Sequence, residues 1–308
     1  MNILITGGAG FLGSNLTGRL LAAGHKVWVV DNLLTGHVEN LEVFKTNPNF
    51  KFLRLGIETA DFINFGQTVG VKLDQVYHLA CATGVPNIQT LGEEMLLACS
   101  LGTLNVLRLA TKHQARLVFT GSSEAYGDPL KTPQAETYTG NVDPTGLRAN
   151  YEEGKRFSET LVMHFVRRHQ LQAVIVRLFN VYGPNMALED TRVIPRFVTQ
   201  ALTNQPLTVQ GDGSQSRTLC FVTDILDGLQ TVITKGIPGE VYNLGSDQSI
   251  TVKNFAIKVI KLSGSLSGIE YVPRPAHDHA SRMPVLDKIR AFGWNNQVDL
   301  TTGLKATI

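Results

Sequence analysis

Two residues four positions apart, Tyr151 and Lys155, have side chains that could carry out proton transfer. Residues with this spacing share one face of a helix, so the lysine ammonium can lie near the tyrosine phenol. A neighbouring cation lowers the pKa of a phenol from its ordinary value of about 10 towards neutrality, which makes Tyr151 a candidate base for a substrate hydroxyl. Taken alone, this spacing is more typical of a solvated helix face, so the prediction depends on the surrounding sequence.

A glycine-rich segment near the N-terminus supplies that context. It follows a strand-like run at 2–5 and precedes an amphipathic run at 16–21. Between a strand and a helix, such a turn lets backbone amides and the helix N-terminus hold a pyrophosphate, whereas the alternative is a tight turn without a ligand. The residues of the turn that we predict to bind a dinucleotide are Gly7, Gly10, Phe11, Leu12 and Gly13.

The next strand-like run, at 26–30, ends in Asp31. An acidic residue at this distance from the glycine-rich turn reaches the ribose hydroxyls of a bound dinucleotide. Because a carboxylate there repels a 2′-phosphate, the sequence predicts NAD as the cofactor in preference to NADP.

Small hydroxyls and one carboxylate follow the strand-like run at 116–120. Ser122 could hydrogen-bond the hydroxyl that Tyr151 deprotonates, although capping a turn is an equally ordinary role for a serine. Glu124 would face a closed pocket in which the pKa of a carboxyl can be tuned, and the alternative is an exposed loop glutamate.

The composition is that of an ordinary globular protein. Lys and Arg number 28 against 26 Asp and Glu, and no basic run is interleaved with aromatics, so we expect no nucleic-acid partner. Met1 leads directly into a strand and no window is long enough to span a membrane, so we expect a cytoplasmic protein without a membrane partner. Cys81, Cys99 and Cys220 lack paired metal-ligand spacing, and we expect buried free thiols and no metal site.

Strand-like and helical segments alternate along the first part of the chain. Strands are predicted at 51–55, 75–79, 116–120 and 173–178, and helices at 95–112 and 152–168. This alternation predicts an α/β fold with a doubly wound parallel sheet, the Rossmann arrangement, in which ligands bind at the carboxyl ends of the strands.

After residue 180 the pattern loosens into loops, with helical stretches at 193–202 and 252–262. We interpret this part as a smaller C-terminal substrate-binding lobe. The predicted division is an NAD-binding domain at 1–179, to which 218–246 returns, and a lobe that occupies most of 180–308.

Motifs spread over nearly the whole chain carry a family resemblance. They lie at 7–13, 30–36, 78–81, 102–105, 123–129, 151–156, 177–184 and 206–217. The sequence resembles the extended short-chain dehydrogenases/reductases of the nucleotide-sugar epimerase and dehydratase group, and within it most resembles the UDP-glucuronate decarboxylases that make UDP-xylose. The resemblance implies a closed redox cycle, in which NAD takes a hydride from sugar C4, the β-keto acid loses carbon dioxide, and the hydride returns.

The same resemblance implies roles for individual residues. Tyr151 is the base, Lys155 tunes its pKa and Ser122 is the hydroxyl partner, while Glu124 and Arg282 act at the substrate carboxylate. Without the resemblance, Arg282 would be interpreted as a surface or pyrophosphate-pairing arginine. The residues expected to contact the UDP-linked substrate are Asn180, Arg192, Arg217 and Arg282. Further cofactor contacts are expected from Asp31, Asn32, Thr35, Gly36, Leu79, Ala80, Tyr151 and Lys155.

The resemblance also implies a homodimer that forms through two helices of each subunit, one of which carries Tyr151.

Three other functions stay open. A nucleotide-sugar 4-epimerase needs only a Tyr, a Lys and a Ser or Thr, so it is the main alternative. A 4,6-dehydratase usually has an Asp-Glu pair where this chain has Ser123 and Glu124, which leaves it without the required acid. An NAD-binding scaffold without turnover is disfavoured by the joint presence of Ser122, Glu124, Tyr151 and Lys155.

Several positions depart from the decarboxylase pattern. Gly56 stands where an Asp usually receives the adenine amino group, and Cys99 replaces an Asn of the central helix. Ile88 lies in the substrate loop and cannot hydrogen-bond a carboxylate. Met283 and Val285 replace a basic and an acidic residue. These differences lie more on the sugar side than around Tyr151 and Lys155, so the substrate could be a modified nucleotide sugar.

Overall fold

The centre of the computed structural model, which describes residues 1–187, 190, 192–273 and 282–308, is a sheet of seven parallel strands. The strands of the described chain are β1 (Asn2–Thr6), β2 (Lys26–Asp31), β3 (Phe50–Arg54), β4 (Gln75–His78), β5 (Arg116–Ser122), β6 (Ala173–Leu178), β7 (Val181–Tyr182), β8 (Leu207–Gln210), β9 (Ser216–Thr218), β10 (Cys220–Phe221), β11 (Val241–Leu244), β12 (Ser249–Thr251) and β13 (Ile269–Val272). The order across the central sheet is β11-β6-β5-β4-β1-β2-β3.

Helices connect most of these strands. They are α1 (Phe11–Ala22), α2 (Glu39–Glu42), α3 (Ala60–Thr68), α4 (Val85–Thr90), α5 (Gly92–Leu97), α6 (Thr103–His113), α7 (Ala149–His169), α8 (Val193–Leu202), α9 (Val222–Lys235), α10 (Val252–Ser263), α11 (Asp287–Arg290) and α12 (Leu300–Thr307). None of those in the described ranges combines the length and the apolar character that crossing a bilayer requires.

Both faces of the sheet are covered, as the side chains of β1 illustrate. Ile3 and Ile5 are fully buried in the core that includes Leu16 of α1 and Leu229 of α9, whereas Leu4 points into the opposite core with α3, α6 and α7. This alternation follows from the two-residue period of a strand. The predicted doubly wound α/β fold is confirmed.

The strand order reverses at β1. From β1 the chain continues to β2 and β3 on one side, and then returns to place β4, β5 and β6 on the other. A crevice opens where the order reverses, at the carboxyl ends of β1 and β4, and ligands of doubly wound sheets bind there. The turn after β1 and the segment after β4 therefore face the same crevice.

The part of the chain after residue 180 contributes to two regions. β11 pairs in parallel with β6 and extends the central sheet, and α9 packs against β5 and β6. The remaining elements include the pairs β8–β13 and β9–β12, and helices α8 and α10, whose Phe197 and Phe255 rings stack at 5.8 Å between centroids. The exact division of the chain into two domains stays a prediction.

The helix predicted at 95–112 is interrupted. α5 and α6 are separated by one turn of π-helix, Ala98–Gly102, which contains Cys99. Thr103 Oγ1 donates to the Ala98 carbonyl oxygen at 3.1 Å within this turn. Hydrophobic periodicity does not distinguish a π turn from the α-helix around it, and such turns are frequent at functional sites.

Candidate active site

The glycine-rich turn has no room for side chains at three of its glycines, Gly7, Gly8 and Gly13. Gly7 has φ +74°, and a Cβ atom on it would lie 2.7 Å from the Ala80 amide nitrogen. A Cβ on Gly13 would lie 2.5 Å from the Gly8 Cα. A Cβ on Gly10, by contrast, would meet only the Gly7 carbonyl oxygen, at 3.5 Å. The turn is thus packed tightly on the protein side and open at Gly10, where a ligand can approach the backbone.

Helix α1 begins at the open side of this turn. Gly10 is the residue before the helix, and the Ser14 amide donates to its carbonyl oxygen at 2.9 Å. Phe11 and Leu12 form the first turn, in which backbone N–H groups have no acceptor within the helix. Such N–H groups bind anions, so the predicted position for a pyrophosphate is available.

Asp31, at the end of β2, is tied back to the glycine-rich turn. Its carboxylate accepts hydrogen bonds from the amides of Ala9, at 2.9 Å, and Leu33, at 2.8 Å. Burial raises the pKa of Asp31 above its ordinary value, against the effect of these two hydrogen bonds. A Cβ on Gly36 would lie 3.0 Å from both carboxylate oxygens, so the loop that contains Asn32 and Thr35 wraps closely around the carboxylate.

A chain of buried hydrogen bonds links the cofactor side of the sheet to helix α7. Thr6 Oγ1 and His78 Nδ1 are 2.8 Å apart, His78 Nε2 and Thr103 Oγ1 are 3.1 Å apart, and Thr103 and Ser158 hydroxyls are 3.3 Å apart. Burial lowers the pKa of His78 to about 3, so its ring is neutral at physiological pH. Leu79 and Ala80 follow His78, and the backbone of Ala80 packs against Gly7.

Lys155 and Tyr151 lie on one face of α7, as their spacing predicts. The buried Lys155 Nζ donates to the Thr120 carbonyl oxygen at 3.0 Å and lies 5.9 Å from the centre of the Tyr151 ring. Ser122 hydrogen-bonds the Tyr151 side chain and also accepts from the Glu124 amide at 3.1 Å. These contacts bring the predicted base, its neighbouring cation and its hydroxyl partner together at the carboxyl end of β5.

The direction of the Tyr151 shift differs from the sequence prediction. Burial raises the pKa of Tyr151 to about 12, although the Lys155 ammonium and the hydrogen bond with Ser122 both lower it. The expected shift towards neutrality is therefore wrong for the chain on its own, because desolvation of the phenolate outweighs one nearby cation.

Glu124 is held between two arginines. Its carboxylate forms a two-point ion pair with Arg282, in which Nη2 and Oε2 are 3.0 Å apart, and a second pair with Arg148 at 2.7 Å. Burial by itself would raise the pKa of Glu124, but the charges of Arg282 and Arg148 outweigh burial and hold it well below its usual range. Arg148 was not predicted from the sequence, where its only signal was its position three residues before Tyr151.

Arg282 reaches this position because its segment is pinned to the loop after β5. The Met283 amide donates to Gln134 Oε1 at 2.9 Å, and the Gln134 amide donates to the Met283 carbonyl oxygen at 2.8 Å. Arg282 Nη2 also donates to the Gly127 carbonyl oxygen at 3.0 Å. Its buried Nε finds no hydrogen-bond acceptor among the described residues. The guanidinium is therefore fixed in place, and its buried Nε–H group is the donor that lacks an acceptor among the described residues.

The residues expected to contact the nucleotide lie farther along the chain. Asn180 follows β6 and donates to the Thr218 carbonyl oxygen at 3.3 Å, so it is beside β9, which carries Arg217. Arg192 is exposed and paired with Asp190, with Nε and Oδ2 2.8 Å apart. Asn180 therefore contacts the strand that carries Arg217. No hydrogen bond among the described residues links Arg192 to either of them.

A small cavity of about 40 Å³ lies close to Arg217. Its lining is formed by Val193, Arg196, Gln210, Gln215, Arg217 and Val252.

Comparison with known proteins agrees with this geometry. The sequence matches the family described as the NAD dependent epimerase/dehydratase family over residues 3–245. UDP-glucuronic acid decarboxylase 2 of Arabidopsis thaliana is 40% identical over 305 residues, which are 99% of this chain and 66% of that protein. The chain thus spans just under two thirds of the length of this relative.

Solved structures share the whole fold. UDP-glucose 4-epimerase of Thermotoga maritima, solved with UDP-glucose, has a TM-score of 0.91 and 28% identity, with 100% of this chain and 97% of that chain covered. The dTDP-glucose 4,6-dehydratase of Bacillus anthracis, solved in complex with NAD, has a TM-score of 0.87 and 27% identity, with 100% and 95% covered.

The glycine-rich turn and Asp31 fit NAD, which confirms the predicted cofactor. The family match extends over most of the chain, and relatives of known structure cover all of it. This chain belongs to the NAD dependent epimerase/dehydratase family.

Proposed function

We propose that the protein removes the carboxyl group of a UDP-linked uronic acid, by oxidation at C4, loss of carbon dioxide and reduction at C4. The observation that carries this proposal is the Glu124–Arg282 pair beside Tyr151 and Ser122, in which Arg282 is buried and its Nε lacks an acceptor among the described residues. A guanidinium suits a carboxylate because its donors are planar and permanently charged. The name and 40% identity of the Arabidopsis relative point to the same reaction.

The first step assigns a proton transfer to Tyr151. Its phenolate accepts the proton of the C4 hydroxyl, while Ser122 holds that hydroxyl by a hydrogen bond and the Lys155 ammonium stabilises the phenolate. When bound, NAD supplies the acceptor for the C4 hydride, and its oxidised ring adds a positive charge that favours the phenolate.

The second step uses the ketone at C4 as an electron sink. The bond between C5 and the carboxyl carbon breaks, carbon dioxide leaves, and the electron pair passes to the C4 oxygen as an enolate. Orientation of the carboxylate and stabilisation of this developing charge matter more here than a strong base. Arg282 orients the carboxylate, Glu124 holds Arg282 in place, and Tyr151 and Ser122 donate hydrogen bonds to the enolate oxygen. C5 then takes up a proton, which restores the C4 ketone, and the hydride returns to C4.

The main alternative is a 4-epimerase. It is favoured by the 0.91 TM-score to a UDP-glucose 4-epimerase, and Tyr151, Lys155 and Ser122 are sufficient for it. An epimerase has no evident use for a glutamate that is held between two arginines beside Tyr151. A 4,6-dehydratase is less favoured, because the buried Ser123 cannot act as the acid.

The test is incubation of the purified protein with NAD and UDP-glucuronate, followed by mass spectrometry and NMR of the nucleotide sugar. We expect loss of the mass of carbon dioxide and formation of a UDP-pentose. An unchanged mass with altered proton couplings around C4 would instead establish epimerisation. UDP-glucuronate recovered unchanged while other UDP-sugars are epimerised would also overturn the proposal.

Replacement of Tyr151 by Phe tests the mechanism. We expect Tyr151→Phe to reduce turnover by about 10³-fold or more, because general-base catalysis is lost, and to leave NAD binding within a few-fold of that of the wild type. Rapid-quench assays and titration with NAD measure the two effects separately. Turnover close to that of the wild type would contradict the role of Tyr151.

We also propose that Asn180, Arg192 and Arg217 contact the nucleotide diphosphate, with Arg192 exchanging Asp190 for phosphate. The support is the charge of the two arginines and the position of Asn180, which follows β6 and hydrogen-bonds β9, the strand of Arg217. A homodimer is a further part of the proposal, supported by exposed Leu97, Leu101 and Phe157 on adjoining helical segments. The cytoplasmic location stays a prediction from the sequence.

A further inference from the structure

Two of the three cysteines lie side by side at the site. Cys81 follows β4, Cys99 lies in the π turn between α5 and α6, and their sulfur atoms are 3.6 Å apart. Cys81 is partly exposed, and Cys99 is 2% exposed. The third thiol, Cys220, is also buried, but it contacts the side chain of Asn296 and has no thiol partner in the described chain.

The two thiols touch the elements that carry the proton-transfer residues. Gly154 lies between Tyr151 and Lys155 on α7, and a Cβ on Gly154 would lie 3.3 Å from Cys99 Sγ. The Ser158 hydroxyl, one turn farther along α7, donates to the Cys99 carbonyl oxygen at 2.6 Å. Cys81 packs with Tyr151 against the buried cluster of Ala82, Ile88 and Met95.

The surroundings favour a thiolate in this pair. The hydrogen bond from Cys81 lowers the pKa of Cys99, with a further lowering by the Lys155 ammonium, and the same hydrogen bond and burial raise the pKa of Cys81. Within the pair, the proton is therefore lost more readily from Cys99 than from Cys81. A thiolate is the reactive form of cysteine, and a second thiol beside it can resolve an oxidised sulfur.

We propose that Cys81 and Cys99 are a modification site, a dithiol that hydrogen peroxide converts to an intramolecular disulfide next to Tyr151 and Lys155. A sulfur of the pair attacks peroxide, so that the O–O bond breaks, a sulfenic acid forms and hydroxide leaves. The second sulfur displaces the sulfenic oxygen as hydroxide and forms the S–S bond. In total, two thiols and one peroxide give one disulfide and two waters.

The position of the disulfide determines its effect. The sulfurs must approach from 3.6 Å to about 2.05 Å, which draws the segment after β4 towards the π turn. Oxidation also removes a negative charge that faces Lys155. Both changes occur beside Tyr151, so we expect the disulfide to lower turnover and reduction to restore it.

The test treats the protein with hydrogen peroxide, blocks the remaining thiols with iodoacetamide, and maps the peptides by mass spectrometry. We expect a peptide that joins Cys81 to Cys99 and lacks two hydrogens, which dithiothreitol reverses. The Cys220→Ser variant is the matched control and should give the same cross-link. Cys81→Ser and Cys99→Ser should give none, and either variant alone suffices if the other fails to fold.

Two results would overturn the proposal. One is alkylation of Cys81 and Cys99 after peroxide to the same extent as in the untreated protein. The other is oxidation of Cys81 to a sulfinic acid without any cross-link to Cys99.

The peptide map needs no substrate, so its outcome is independent of the proposed decarboxylase activity. Where turnover is measurable, peroxide should reduce it at least about fivefold in wild type and in Cys220→Ser, but not in Cys81→Ser.

Discussion

Glu58 occupies the space that is left by the missing side chain at Gly56. A Cβ on Gly56 would overlap the carboxylate of Glu58, whose second oxygen would still be only 3.0 Å away. The family resemblance implies that the position of Gly56 is usually an Asp, which receives the adenine amino group. We therefore predict that the Glu58 carboxylate makes this contact from two residues farther along the chain.

We predict that Glu58→Ala weakens NAD binding about tenfold, because a hydrogen bond to a charged group contributes about 1.5 kcal/mol. Titration calorimetry of nucleotide-free protein measures the change. The double variant Gly56→Asp with Glu58→Ala should recover most of the affinity, whereas Glu270→Ala, on the exposed face of β13, should have no effect. Equal affinity of wild type and Glu58→Ala would show that the adenine is held by other groups.

The ion pairs of Glu124 make a pH-dependent contribution to stability. Because its pKa is lowered in the folded chain, the unfolded chain binds more protons in acid. We predict that Glu124→Gln lowers the free energy of unfolding by about 1 to 3 kcal/mol near pH 7. This difference from wild type should be fully present above about pH 5 and shrink as the pH falls below about 4.3, the ordinary pKa of a glutamate.

Denaturant unfolding at a series of pH values measures this difference. Glu39→Gln, at an exposed position on α2, should differ little from wild type at every pH. A difference for Glu124→Gln that stayed constant from pH 7 to pH 3 would mean that the two arginines stabilise the carboxylate equally in the unfolded chain.

Residues whose partners are close in sequence could be identified before the structure was known. The spacing of Tyr151 and Lys155 is sufficient to put them on one helix face, and the glycine-rich turn is a local pattern. Arg148 was not identified, because its partner Glu124 is 24 residues away and nothing in the local sequence joins them. The Cys81–Cys99 contact was missed for the same reason, since both were expected to be separate buried thiols.

At the scale of elements, the strand–turn–helix unit at the N-terminus distinguishes two uses of glycine. Gly13 is required by packing, since a Cβ would overlap the backbone of Gly7 and Gly8. Gly10 has room for a Cβ on the protein side, so we expect that glycine is needed there because it lets a ligand approach the backbone. One substitution should therefore affect stability and the other binding.

We predict that Gly13→Ala lowers the free energy of unfolding by about 2 to 4 kcal/mol, because the backbone of the turn must shift. Gly10→Ala should cost about 1 kcal/mol or less but weaken NAD binding by more than tenfold. Chemical denaturation and NAD titration of both variants separate the effects. The assignment fails if Gly13→Ala is as stable as wild type, or if Gly10→Ala binds NAD normally.

The sequence predicted where strands and helices occur more reliably than where a helix is interrupted. The alternating buried strands and amphipathic helices were predicted because each has a single hydrophobic period. The π turn at Ala98–Gly102 was not predicted. Its hydrogen bonds involve the hydroxyl of Thr103 at the start of α6 and that of Ser158 on α7, which donates to the Cys99 carbonyl oxygen. A contact between two helices leaves no signal in the local sequence. That turn brings the Cys99 sulfur against α7 at Gly154, and so contributes to the site.

At the scale of the whole molecule, the reversal of strand order explains why distant segments share one site. The turn after β1, the segment after β4 and the end of β5 all open on the same edge of the sheet. The C-terminal segment that carries Arg282 joins them through Gln134 and Gly127. The sequence could place the first three by their strands. The resemblance implied only that Arg282 and Glu124 act at the same substrate carboxylate, and their direct contact was not predicted.

Exposed apolar side chains lie close to the site on neighbouring helical segments. Leu97 and Leu101, at the junction of α5 and the π turn, are 40% and 42% exposed, and Phe157 on α7 is 50% exposed. α5 and α7 pack together, so these side chains lie on neighbouring segments, and α7 is the helix that also carries Tyr151 and Lys155. A second copy that covers this surface would remove it from water.

We predict that the protein is a dimer of about twice 33.7 kDa, and that Phe157→Glu shifts it to the monomer. Because a two-fold interface contains each substitution twice, the dimer Kd should rise at least about a hundredfold. Light scattering after size-exclusion chromatography measures the mass, and Ile257→Glu, at a 48% exposed position on α10, is the matched control that should stay dimeric. A monomeric wild type, or a Phe157→Glu variant that stays dimeric, would rule out this surface as the interface, and α7 would then support Tyr151 without a partner subunit.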